Sequence, residues 1–471
     1  MRVLKNYAYN LSYQLLVILL PIITTPYITR VFSSDELGEY GYYASISTYF
    51  VLLAGLGVAN YGTKEISAHS REVSETFWGI YSIQFIAGIL SIVTYILACC
   101  FIPKMNNAIS FILIVSLFAR VLDISWLFQG MEDFKKITIR NVLVKLVGVI
   151  AIFVFIKQSK DLLLYVFLLV GFDLFGQLSM WFPAIKHIGK PHFTRGRAKA
   201  HLSPIFVLFL PQVAISLYIT LDRTMLGSMA TSKDVGIFDQ AQKIITILLT
   251  VVTSLGSVML PRISNLLSTE NHNTVNRMYE WSFLIYNLII FPTIAGVLVV
   301  NNDFVSFFLG EDFRDAKIAI YIMVFKMFFI GWTNIMGIQI LIPHGKNKEF
   351  MLSTTLPAIF SVFLNFILLP RFGFVGASIT SLLTEVLVWG IQFYYVRSYL
   401  KTVSITSSML KIFIATFMMA MLLLVFKPFL DFPAIINVLI YILVGMSFYI
   451  YLLVIFKVID FKTMIIKIFR K

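Results

Sequence analysis

At 471 residues, with 59% hydrophobic side chains, 13% charged side chains and a formal net charge of +14, the chain lies outside the range of soluble domains, which carry about 25% charge. The mean hydropathy is +0.86, and about fourteen apolar stretches of roughly 20 residues each are separated by short polar loops. Each stretch can cross a hydrocarbon core of about 30 Å as a helix, because lipid offers the backbone no hydrogen-bond partner but itself. A helix with its loop takes roughly 34 residues, so no soluble domain of ordinary size fits between spans. Lys and Arg are scattered through short loops, which excludes a nucleic-acid-binding surface as the source of the charge.

The expected spans in chain order are 11–31, 42–62, 78–102, 108–128, 138–156, 162–183, 204–227, 238–260, 282–300, 318–342, 351–369, 374–396, 409–427 and 434–456. Met1-Arg2-Val3-Leu4-Lys5 leads into a full-length first span with no small-residue cleavage site. Pro21 and Pro26 fall inside that span and predict a bend, either a gating motion or a static kink. Cys99 and Cys100 are adjacent in the third and read as small apolar side chains. The loop after the sixth span carries Lys186, Lys190, Arg195, Arg197 and Lys199, whereas alternate loops carry Asp35, Glu36, Glu39, Asp303, Glu311, Asp312 and Asp315. Placing both termini in the cytoplasm puts about 24 Lys and Arg inside and about 8 outside. Tyr40, Tyr42, Tyr43, Trp78, Tyr279, Trp281, Tyr394 and Tyr395 sit near span ends, as interfacial anchors do.

A weak internal repeat is visible. Leu20-Pro21…Tyr27-Ile28-Thr29-Arg30 with Glu36-Leu37-Gly38 matches Leu210-Pro211…Tyr218-Ile219-Thr220 with Asp234-Val235-Gly236. Both spans run outward, so the halves are parallel, a plan used by transporters with a central cavity. The expected fold is an all-α polytopic membrane protein of about 14 transmembrane helices. A six-helix bundle over residues 1–200 and a second over 201–400 flank the cavity, and two additional C-terminal helices occupy 401–471.

Ionisable residues at membrane depth cost a few kcal/mol each on insertion scales and need a cavity or a partner. Arg120, Asp123, Lys145, Asp173, Lys326 and Glu385 fall near mid-span; Arg30, Asp222, Arg223 and Lys243 fall toward the outer ends. Six cations against four acids predict a basic cavity suited to an anion, with Arg forks matched to phosphate oxygens. Arg120 and Asp123, three residues apart, can instead neutralise each other, and Arg30 and Arg223 can snorkel to head groups. Asp123, Asp173, Asp222 and Glu385 suit either a coupling proton or cation, or structural pairing.

No Gly-x-x-x-x-Gly-Lys-Ser/Thr loop and no metal-spaced His/Cys/Asp cluster is present, and no cofactor is expected. His69, His187, His192, His201, His272 and His344 lie in or beside cytoplasmic loops.

Three stretches carry a family resemblance. The first comprises Pro26-Tyr27-Ile28-Thr29-Arg30-Val31-Phe32, Leu37-Gly38-Glu39-Tyr40-Gly41 and Tyr61-Gly62-Thr63-Lys64-Glu65-Ile66. The second comprises Leu221-Asp222-Arg223-Thr224-Met225-Leu226-Gly227 and Ala241-Gln242-Lys243-Ile244; the third runs from Pro343-His344-Gly345-Lys346 through Leu369-Pro370-Arg371-Phe372-Gly373 to Glu385. Together they resemble Wzx-type polysaccharide flippases of the MOP transporter superfamily. The resemblance implies flipping of an undecaprenyl-diphosphate-linked oligosaccharide repeat unit from the cytoplasmic to the outer leaflet of a bacterial inner membrane, without enzymatic chemistry. It adds Lys64, where relatives often carry Arg, to the substrate-binding set of Arg30, Arg120, Lys145, Arg223, Lys243 and Lys326. The partners implied are the lipid-linked oligosaccharide, membrane lipids, H+ or Na+, and polysaccharide polymerase machinery, with no nucleic acid. An ion-coupled exporter of another lipid or drug is the alternative; a multidrug exporter would favour an acidic cavity. A membrane enzyme such as an O-antigen polymerase would need a larger extramembrane loop.

Overall fold

A computed structural model describes residues 2–68, 72–190, 195–268, 272–400, 406–429 and 432–458; His69 and His192 lie outside these. All regular structure among the described residues is helical. The helices are α1 (Arg2–Val31), α2 (Ser34–Gly55), α3 (Val58–Ala68), α4 (Val73–Phe101), α5 (Ala108–Val121), α6 (Ser125–Gly130), α7 (Phe134–Phe155) and α8 (Leu162–Ile188). They continue as α9 (Arg195–Met229), α10 (Ser232–Ser268), α11 (His272–Phe308), α12 (Ala316–Met323), α13 (Lys326–Thr333), α14 (Asn347–Leu400), α15 (Thr406–Phe426) and α16 (Ala434–Ile455). By length and composition nine described segments can cross a membrane, ten when the bent α12–α13 segment counts as one, against the fourteen expected. The 54-residue α14 spans the expected eleventh and twelfth segments as one element, interrupted at Gly373 (φ 50°, ψ −129°).

Several expected spans are broken in the middle. Leu56 and Gly57 take positive φ (42° and 73°) and separate α2 from α3. Leu122 to Ile124 separate α5 from α6. After α13 the chain continues as an eight-residue π-helix, Asn334–Leu341, a geometry frequent at functional sites. Pro21 and Pro26 are accommodated inside α1.

The chain forms two compact units, Met1–Gly236 and Ile237–Lys471. In the first, Phe77 stacks on Tyr81 and Trp126, with Trp78 and Trp181 edge-on, at the centre of an apolar core. Helix α9, placed in the second bundle by the expected boundary at 201, packs here against α2 and α4. The two copies of the repeated motif fold alike. Ser33 and Glu36 cap α2 reciprocally, and Thr231 and Asp234 make the same paired bonds at the head of α10. The copies also cross at glycine: a Cβ on Gly38 would sit 1.7 Å from the Ser232 carbonyl oxygen, and one on Gly236 would sit 2.0 Å from that of Ser34. Small residues four apart let helix backbones approach closely where lipid supplies no hydrophobic drive.

In the second unit α15 and α16 pack on α11 through Ile412, Met419, Leu423, Tyr441 and Tyr449. Beside them lies an apolar groove of about 470 Å³, bordered by Ile244, Leu288, Gly296, Phe304, Gly445 and Tyr449.

Candidate functional site

The charged candidates sort into a group around the α5–α6 break and further positions along the chain. In the first unit the cluster forms at the α5–α6 break. The Arg120 guanidinium donates from Nη1 to Asp123 Oδ2 at 2.8 Å, with side-chain exposures of 26% and 13%. Asp123 Oδ1 accepts from the Ser125 backbone N–H at 3.0 Å and from its hydroxyl at 2.6 Å, which starts α6. Asp173, exposed on α8, lies within electrostatic reach of Asp123 and of Lys145 and Arg140 on α7. Arg140 lies against Gly176 of α8, 3.4 Å from where a Cβ would stand. The structure thus joins Arg120 to Asp123, with Asp173 within electrostatic reach of Asp123 and of Lys145.

Two members are absent from the sequence candidates. Arg140 sits two residues inside the expected 138–156 span, and that position is its signal. Gln84 is the lone side-chain amide of α4. It is 2% exposed and donates from Nε2 to the carbonyls of Arg120, Val121 and Asp123 at 3.0, 3.2 and 2.9 Å.

The remaining first-unit candidates lie on α1, α3 and α9. Arg30, exposed at the end of α1, donates to the Pro26 carbonyl at 2.5 Å. Lys64 is exposed on α3. Asp222 and Arg223 are half-buried on α9, next to Thr224, whose hydroxyl lies 2.9 Å from those of Ser45 and Tyr49 on α2.

In the second unit Lys326 is 2% exposed, and its ammonium donates to Gln242 Oε1 and, at 3.0 Å, to Ser381 Oγ. Glu385, 9% exposed, lies one turn beyond Ser381 on the same face of α14. Lys243 donates to Gln240 Oε1 at 3.1 Å. A ladder of buried polar pairs ties α11 to the segment around the π-helix: Tyr286 to Asn334 at 2.6 Å, Ser282 to Gln339 at 2.7 Å and Trp332 to Asn287 at 3.1 Å.

No group of three or more potential metal ligands occurs among the described residues. Helices of membrane-crossing length, with an ion pair and a buried amide set at the α5–α6 break, mark a polytopic membrane protein. The fold matches that of a solved lipid II flippase, MurJ, in an inward closed conformation, with a TM-score of 0.75 at 16% identity over 96% of this chain and 98% of that one. A profile of the polysaccharide biosynthesis protein family matches residues 3–267, and the chain belongs to that family. It is 25% identical over 392 residues, 81% of this chain and 93% of the other, to an Escherichia coli K12 protein described as an O-antigen transporter. It is 22% identical over 405 residues, 83% of this chain and 98% of the other, to the capsular polysaccharide biosynthesis protein CapF of Staphylococcus aureus.

Proposed function

We propose that the protein flips an undecaprenyl-diphosphate-linked oligosaccharide repeat unit from the cytoplasmic to the outer leaflet of a bacterial inner membrane by alternating access, making and breaking no covalent bond. The observation that carries this reading is the cationic cluster at the α5–α6 break, where Arg120 keeps 26% of its side chain accessible although Asp123 neutralises one edge. A diphosphate supplies acceptors for the remaining guanidinium edge and for Lys145, each charge-assisted bond contributing about 1.5–3 kcal/mol. Arg30, Lys64 and Arg223 are further cations for the same ligand along its path. Lys243 and Lys326, bonded to glutamines in the second unit, are candidates of a more structural kind. The apolar groove along α11, α15 and α16 suits a hydrocarbon chain. The acids Asp123, Asp173, Asp222 and Glu385 are the candidates for coupling to H+ or Na+, and polymerase machinery is the partner that would take the product.

The test is translocation of a lipid-linked oligosaccharide in proteoliposomes, with and without imposed proton and sodium gradients. Wild-type protein should move the lipid faster with one of the gradients. Asp173→Asn, which removes the acid within electrostatic reach of Lys145 and Arg140, should weaken that dependence at unchanged protein level. No translocation by the wild-type protein under either gradient sinks the flippase reading, and an unaltered dependence in Asp173→Asn assigns this acid to structure.

Orientation is tested separately. A cysteine introduced at Lys186 should be shielded from an impermeant thiol reagent in intact cells, and one at Asp312 should react. The opposite pattern reverses the topology.

A further inference from the structure

We infer that Gln84 is a positioning residue for the substrate-facing guanidinium of Arg120, acting by holding the α5–α6 break in a fixed geometry. The inference rests on the reading of Arg120 as a diphosphate ligand and goes beyond it by naming what aims that ligand.

Helix α5 stops at Val121, and its last carbonyls lose their intrahelical partners in surroundings where water is scarce. Three carbonyls at the break, of Arg120, Val121 and Asp123, converge on one group, the Gln84 amide nitrogen on α4, and that of Arg120 also accepts from the Asp123 backbone N–H at 3.3 Å. A fourth, of Leu122, accepts from Trp181 Nε1 at 2.9 Å. The orientation of the amide is set by its other end, where Trp126 Nε1 donates to Gln84 Oε1 at 3.1 Å. A flipped amide would point its oxygen at three carbonyl oxygens and its nitrogen at an indole N–H.

The pinned break fixes two side chains. Asp123 divides its carboxylate between Ser125 and Arg120. The guanidinium is then seated on the backbone of α2 at Gly55, where a Cβ would fall 2.4 Å from Nε and 2.5 Å from Nη2. Only a residue without a side chain leaves room for that seat. A guanidinium held in one place loses little freedom when it binds an anion, which raises affinity without adding a contact. Gln84 itself is buried, and its side-chain bonds go to the backbone of the break and to Trp126.

The experiment is a double-mutant cycle on binding, with radiolabelled undecaprenyl diphosphate as the probe and purified full-length protein. Arg120→Gln should weaken binding by about tenfold or more. Gln84→Leu should weaken it by a similar factor, because displacement of an oriented group by about 1 Å is already costly. The double variant should bind no worse than Arg120→Gln alone, since Gln84 acts only through Arg120. Multiplying losses in the double variant, or wild-type affinity in Gln84→Leu, overturns the positioning role while leaving Arg120 as a ligand. Wild-type affinity in Arg120→Gln overturns the ligand reading and the positioning role with it. Should Gln84→Leu fail to fold, Trp126→Phe, which removes the donor that orients the amide, carries the same cycle with the same outcomes.

Discussion

Gly38→Ala should strongly destabilise the protein, lowering the melting temperature of the detergent-purified chain by many degrees, whereas Gly390→Ala should leave it unchanged or slightly higher. Both replacements add one methyl to a helix. At Gly38 the new carbon would stand 1.7 Å from the Ser232 carbonyl oxygen and 2.8 Å from the Gly236 nitrogen, both backbone atoms of α10. Neither can yield without moving a helix, and overpacking of this kind costs about 1–3 kcal/mol or more. At Gly390 the methyl meets nothing within 4 Å, and alanine gains up to about 1 kcal/mol of helix propensity. Thermal-shift or fluorescence-detected gel filtration reads both variants. Equal melting temperatures for Gly38→Ala and wild type would mean that the crossing is not close-packed.

The second large effect separates two cations that look alike in the sequence. Arg120→Ala should cut transport about tenfold or more and change the melting temperature little, because its side chain is partly exposed and its partner Asp123 keeps the bonds from Ser125. Arg120→Lys should restore only part of the activity, since an ammonium cannot reproduce the planar fork. Lys326→Ala should lower the melting temperature clearly, because it deletes a buried stem and leaves Gln242 and Ser381 without that donor, a cost of about 2–4 kcal/mol. The pair is measured by proteoliposome transport beside thermal unfolding. Full transport by Arg120→Ala would remove it from the binding site, and an unshifted melting temperature for Lys326→Ala would show that its bonds contribute nothing.

The class of protein was plain from composition alone, because every backbone group in lipid must be paired within its own helix and long apolar stretches leave no other solution. The breaks inside the spans were not plain. The α5–α6 break contains neither glycine nor proline; Gln84 and Trp181, distant in sequence, stabilise it from two other helices. Such a break is a tertiary event, and the local pattern 108–128 reads as one uninterrupted span. The α2–α3 break did carry a local mark in Gly57, whose φ of 73° suits glycine. Within the candidate site, Arg120, Asp123, Lys145 and Asp173 were legible because charge at membrane depth is costly. Gln84 was not, because a neutral amide in an apolar helix is read only through its partners. Lys326 was legible as a buried charge, but its engagement by Gln242 and Ser381 depends on packing among α10, α13 and α14.

The reciprocal glycine crossing also bears on how the protein is made. Ser34 and Gly38 leave the ribosome about 200 residues before Ser232 and Gly236, an interval of roughly 10–40 s at ordinary elongation rates. Throughout that interval α2 stands in the bilayer with its flat face turned to lipid or to whatever else can cover it. Assembly of the first unit therefore waits for the ninth helix and the head of the tenth, and a nascent chain arrested before them exposes a seam that an insertion chaperone or a membrane protease can read.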